Sequence, residues 1–346
     1  MMISFVESLK KIGITPPFSL NEDLQAYPNS MQELLRIMNL PTSDLKQLSS
    51  RKVHEFTEEN AQGLTYAYRD TWFLSSEKEV FKYRFIGDNP YKPDKVIRQK
   101  RVALSELIKK IALDQHLRRH VGKREVFDHI GDIDYYNSML FLSIREKDGC
   151  APLLLVLSES LDVICYSRLS SSVDYWCAIN PWSGVLYAAP IICSEDKGYG
   201  YLNAFDITGI INNFHNRDTW GGYIEVSLMK NNKFRFYEYN NGIDTARSFQ
   251  GITFSNNGFM YTTTAKLFYN GFWGKRWDNS MRVYNALTGK YLGKKDFDFE
   301  GAGDEIEGLS IHPSGIIYVA VADNDASDDE FEIHAFKYPE KSNKVV

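Results

Sequence analysis

The chain has 346 residues, 43% of them hydrophobic and 25% charged, the proportions of a globular protein with a real core. Its formal net charge of -5 argues against the basic face that phosphate contacts need, so no nucleic-acid partner is expected. There is no apolar run of the about 18 residues that would span a membrane and no apolar signal core at the start. The four cysteines show no metal-ligand spacing, so free thiols and a cytoplasmic location are expected.

Along the chain, residues 1–54 read as a helical segment. Met31, Leu34, Leu35, Ile37 and Met38 fall at helical spacing, and the Pro41-Thr42-Ser43-Asp44 group stops them. From residue 55 to about 340 the pattern switches to strands, and one phrase restarts five times. A small or polar residue opens it, an alternating run follows, then a turn, then an apolar run. The first copy is Gln62-Gly63-Leu64-Thr65-Tyr66 leading to Trp72-Phe73-Leu74, with Glu79 to Tyr83 as its next strand.

A helical insertion follows at about 100–121. Leu104, Leu107, Ile108, Ile111 and Leu117 form one stripe over residues 103–119, with lysines and arginines opposite as a solvated face. The second copy runs Gly131-Asp132-Ile133-Asp134-Tyr135 to Met139-Leu140-Phe141, turning at Asn137-Ser138. The third runs Cys177-Ala178-Ile179-Asn180-Pro181 to Val185-Leu186-Tyr187. A second long insertion then includes an expected hairpin, residues 223–228 turning at Asn231-Asn232 into 234–239.

The fourth copy is Gln250-Gly251-Ile252-Thr253-Phe254 leading to Phe259-Met260-Tyr261, followed by residues 268–277, which read as an irregular loop. The fifth is Glu307-Gly308-Leu309-Ser310-Ile311 leading to Ile316-Ile317-Tyr318, with Phe331 to Phe336 closing the unit. The turns Ser255-Asn256-Asn257-Gly258 and His312-Pro313-Ser314-Gly315 supply the positive φ and fixed φ such units need.

A strand–turn–strand unit restarting every few tens of residues marks a repeat architecture. On the inner-strand phrase, the Pro-x-Gly and Asn-Gly turns and the Thr-Gly after two closing strands, residues 56–338 resemble the β-propeller superfamily. The likeness is greater to the five- and six-bladed calcium-type lactonase and phosphoesterase propellers than to the WD-repeat class, whose Gly-His and Trp-Asp signatures are missing. The expected fold is all-β: five blades, with six as the alternative because the second insertion, between Gly209 and Ala246, holds a further hairpin that is short for a whole blade.

In a propeller the starts of the inner strands converge on one channel mouth. That places Glu59, Asn60, Gln62, His129, Asp132, Asp174, Trp176, Gln250, Glu305 and Glu307 together. What the resemblance implies is a calcium ion held by Asn60, Asp132 and Glu307, with His129 as the base of a lactone or phosphoester hydrolase. Gln62, Gln250 and Trp176 depart from that pattern, since glutamine and tryptophan are poor calcium chemistry. They suit ligand binding, as do the aromatics Trp273 and Trp277 beside polar residues. The acidic run from Asp323 to Glu330 lacks the glycine and glutamate of an EF-hand, and the helical pair His116 and His120 lacks the rest of a zinc motif.

With no catalytic constellation complete, the primary expectation is a non-catalytic binding protein that recognises a protein partner or small ligand at the mouth and long loops. The calcium-dependent hydrolase is the alternative, and a carbohydrate-binding propeller the third reading.

Overall fold

A computed structural model gives the architecture. It describes residues 48–56, 61–89, 91–111, 127–146, 152–169, 176–181, 183–189, 201–216, 220–236, 249–255, 258–270, 274–286, 288–297, 299, 304–312, 314–323 and 331–337. The helical expectation for residues 31–38, the acidic run after Asp323, His116 and His120 all lie outside these residues.

The described residues form five sheets arranged as a five-bladed β-propeller. Blade 1 is β2 (Ala61–Tyr68), β3 (Thr71–Ser76), β4 (Glu79–Ile86) and β5 (Lys95–Ala103). Blade 2 is β6 (Phe127–Tyr136), β7 (Met139–Glu146), β8 (Leu153–Ser158) and β9 (Val163–Arg168), extended by the short parallel β13 (Gly222–Tyr223). Blade 3 is β10 (Ala178–Asn180), β11 (Val185–Ala188), β12 (Tyr201–Asp206) and β14 (Ser227–Arg235). Blade 4 is β15 (Gly251–Phe254), β16 (Phe259–Asn270), β17 (Gly274–Asn285) and β18 (Tyr291–Phe297).

Blade 5 is assembled from both ends of the described chain. β19 (Asp304–Ile311), β20 (Ile317–Asp323) and β21 (Phe331–Lys337) are joined at the outer edge by β1 (Ser49–Phe56), antiparallel to β21 from Ser49↔Lys337 to Phe56↔Phe331. Among the described residues, strand structure therefore already covers Ser49–Phe56, across the boundary expected at residue 55.

Ring closure shows in the packing. Flat aromatic and β-branched side chains of each sheet meet those of the next, giving five apolar clusters, one at each junction. Phe73, Leu140 and Leu155 fill the junction of blades 1 and 2, and Trp72, Tyr318 and Phe331 fill that of blades 5 and 1. The helix α1 (Leu104–Ile111) buries Leu104, Leu107 and Ile111 in the first of these cores, as its stripe requires; its expected continuation to 119 lies outside the described residues. Among the described residues no helix is long and apolar enough to cross a membrane.

Two sequence expectations need correction. Of residues 268–277, all but 271–273 are described, and they are strand and not irregular loop: β16 and β17 pair continuously from Phe259↔Asn285 to Asn270↔Gly274, overhanging the short β15. Cross-strand pairing supplies the regularity that Gly, Asn and Lys obscure in a single-strand reading. Residues 223–236 do not form the expected hairpin either; 237–239 lie outside the described residues. Tyr223 pairs with Tyr166 in blade 2, while β14 pairs with β12 across a wide bulge at residues 229–232. The second insertion thus packs on existing blades through the short helix α2 (Thr208–Asn213) and β13, and the described residues form five blades.

Candidate functional site: the mouth of the hub

Five inner strands meet at the axis with almost no space between them. A methyl carbon placed on Gly308 would lie 2.5 Å from Asp132 Oδ1 and 2.6 Å from Gly63 Cα; on Gly251 it would lie 2.6 Å from Asp132 Oδ2. Glycine at the second place of three phrases is therefore a close-approach requirement. The Asp132 carboxylate fills the space so created. Oδ1 accepts the Ile133 N–H at 2.9 Å, Oδ2 accepts the Ile252 N–H at 3.1 Å, and the Leu64 N–H is also bonded to it.

Local irregularity aims these residues inward. In β2, β6 and β19 the pairing slips by one residue at the same place in the phrase, between Ala61 and Gly63, Ile130 and Ile133, and Ile306 and Leu309. Each slip is a β-bulge, which re-aims side chains without ending the strand. It turns Gln62, Asp132 and Glu307 away from simple alternation.

Above the Asp132 plug, on the side where the inner strands begin, lies a polar mouth. His129 Nε2 is 2.8 Å from Gln62 Oε1, and His129 Nδ1 is 3.3 Å from Glu77 Oε1. Gln250 Nε2 donates to Glu305 Oε1. Glu307, only 6% exposed, faces the negative charges of Glu305, Asp132 and Glu77. Among the described residues its carboxyl makes no hydrogen bond or ion pair.

The electrostatics follow from burial and from like charge. Burial, then Glu305, Asp132 and Glu77, push the Glu307 carboxyl well above its ordinary range. Burial also raises Asp132, against the pull of its three amide donors. Asp134, whose oxygens accept the N–H groups of Tyr135 and Ile179 and the Thr65 hydroxyl, is raised by burial to about 7. His129 moves the other way: burial and the Arg145 charge lower it to about 4.

The structure places Gln62, His129, Gln250, Glu305 and Glu307 around Asp132. Asn60, Glu59, Asp174 and Trp273 lie outside the described residues; Trp277 is on β17 opposite Leu267, and its side chain is not described. Trp176 does not line the mouth. It is 2% exposed in the core between blades 3 and 4, with its ring centroid 6.2 Å from that of Phe249.

Asp132 does not fit the calcium role. Asp132 has both oxygens taken by backbone donors, and the glycine walls leave no room for an ion beside them. Among the described residues no group of three His, Cys, Asp or Glu is placed to hold a metal. His129, with a pKa near 4, is a weak proton acceptor at neutral pH.

Two residues of this site escaped the sequence reading. Glu77 sits in the β3–β4 turn, which topology places at the mouth end. Asp134 is two places beyond Asp132 on the same strand face, a period-two relation that was open to inspection.

No family model matches the chain, and no curated protein does. Solved structures do resemble it, at low identity. The tail fibre of Staphylococcus aureus phage P68 aligns at 10% identity and a TM-score of 0.46 over 89% of this chain, which spans 56% of that one. A gluconolactonase from Xanthomonas campestris aligns at 10% and 0.42, covering 94% of this chain and 98% of its own. An endo-arabinanase from Bacillus licheniformis aligns at 12% and 0.43, covering 82% and 98%.

Proposed function

We propose that the chain is a binding protein whose recognition site is the acidic mouth of the hub, where a ligand or partner segment rich in hydroxyl or amine donors is held. Glu307 is the observation that carries this reading. A buried carboxyl with no partner among the described residues forgoes a hydrogen bond worth about 0.5–1.5 kcal/mol net, so a donor entering the mouth is favoured there. Glu305 and Glu77 add negative potential, and the β16–β17 hairpin projects at this end to enlarge the contact surface. Hydrolysis through calcium is not adopted, because Asp132 is committed to backbone donors.

The test is a melting-temperature screen of the intact chain with spermidine, lysine-rich and arginine-rich peptides, monosaccharides and, separately, calcium. At least one organic donor class should raise the melting temperature of the wild type, and Glu307→Gln should lose most of that rise while the unliganded variant melts no lower. If no class shifts the wild type, the mouth is not a recognition site. Calcium stabilisation that Glu307→Gln abolishes would favour the metal reading over this one.

A further inference from the structure

At the other end of the hub from Glu307, blades 1 and 5 leave a cavity of 340 Å³ that the mouth does not reach. That volume is at the small end of the range for ligand pockets, about 300–1,000 Å³. Its floor is aromatic but closed. Trp72 lies 4.4 Å from Tyr318 and stacks on Phe85 at 5.0 Å between ring centroids. With Trp72 only 2% and Tyr318 1% exposed, neither offers an open face for a sugar ring or a flat apolar molecule.

Recognition there would fall to the polar rim. Asp70 is already paired, its Oδ2 accepting from Arg84 Nε at 2.8 Å. His312 Nδ1 accepts the Ser314 N–H at 3.1 Å, and burial lowers the ring's pKa, so the neutral ring carries its proton on Nε2. Arg69, from the β2–β3 turn, and Asp88, from the β4–β5 connection, line the same cavity with opposite charges. Among the described residues neither side chain is engaged in an ion pair or hydrogen bond.

We propose that this cavity is a second ligand site, taking a small zwitterion of the α-amino acid class: the carboxylate on Arg69 with the His312 Nε2–H beside it, the ammonium on Asp88. The pairing is chemically specific. A cavity of this size that presents, among the described residues, one cation and one anion outside any ion pair matches a molecule that carries both charges close together, and mismatches singly charged or neutral ones.

Calorimetric titration of the intact chain with the common L-amino acids, and with their N-acetyl and carboxamide forms, tests it. At least one free amino acid should bind, its two capped forms should bind at least about tenfold more weakly, and Arg69→Gln and Asp88→Asn should each weaken it about tenfold. Both changes are at exposed positions, so melting temperatures close to wild type should accompany them. Glu307→Gln should bind the amino acid as the wild type does, which separates this site from the mouth. No binding by any amino acid overturns the proposal; so does equal binding of the capped forms, or loss in Glu307→Gln with retention in Arg69→Gln.

Discussion

Asp132 accepts amide hydrogens from strands of three blades: Ile133 of its own, Ile252 of blade 4 and Leu64 of blade 1. Asp134 accepts the Ile179 amide of blade 3 and the Thr65 hydroxyl of blade 1, so two carboxylates on β6 tie four blades together at the axis. Gly308→Ala should therefore cost at least about 2 kcal/mol in urea unfolding, because the new methyl meets backbone of blade 1 and the Asp132 carboxylate, neither able to yield. Gly315→Ala, with nothing within 4 Å but φ at +84°, should cost only the about 1 kcal/mol of its strained backbone. Equal losses would mean that the hub is looser than described. Protonation supplies a second test. Asp134 holds its proton up to about 7 in the folded chain, against an ordinary value of 3.8, so folding binds a proton between those limits and stability falls as pH rises through them. His129, depressed from 6.5 to about 4, acts oppositely over about 4–6.5 and masks part of the slope. Comparing Asp134→Asn with wild type removes the shared His129 contribution: from pH 4 to 7 the wild type should lose up to about 1.4 kcal/mol per unit relative to the variant. Parallel profiles would show that Asp134 is ionised throughout. The glycines and Asp132 were legible as the second residue of a repeated phrase. That Asp132 would be a plug and not a ligand was not, because only convergence in space reveals how little room the axis has.

At the scale of elements, the β-bulges at Gln62, Asp132 and Glu307 explain why strict alternation fails just where the inner strands reach the hub. The repeated turns were readable for a local reason. Asn137 and Ser138, with φ of 51° and 61°, make the two-residue hairpin turn whose chemistry those side chains announce. Closure of blade 5 was not readable, since β1 finds its partner β21 some 280 residues away and carries no copy of the phrase. The same limit hid the pairing of β13 with β9, and hid Trp176, whose polar surroundings in sequence gave no hint of an interblade core. Removal of the residues before Leu48 should leave a cooperatively melting propeller. Removal through residue 57 takes away β1, exposes the edge of β21 and uncovers Phe331 and Ala335, so it should abolish the cooperative melt followed by near-ultraviolet circular dichroism. A truncated chain that melts like the parent would mean that β1 is dispensable for closing the ring.

Across the whole molecule the two ends of the propeller differ. One carries the tight hairpin turns and the cavity between blades 1 and 5; the other carries the projecting β16–β17 hairpin and the acidic mouth. The five-fold restart of one phrase made the ring and its mouth legible from the sequence, because a radial repeat forces equivalent residues to a common axis. The cavity at the opposite end was not legible: Arg69, Asp88 and His312 belong to turns of two blades and share no motif. What the functional reading rests on is that the hub sequesters Glu307 with no partner for its carboxyl among the described residues. The most direct measurement is a carbon-13 NMR titration of the glutamate carboxyls, with Glu307→Gln identifying the resonance that disappears. A midpoint well above the ordinary glutamate range of about 4.2 ± 0.9 is the expected result. A midpoint inside that range would show Glu307 to be solvated or paired, and would contradict the mouth as a recognition site.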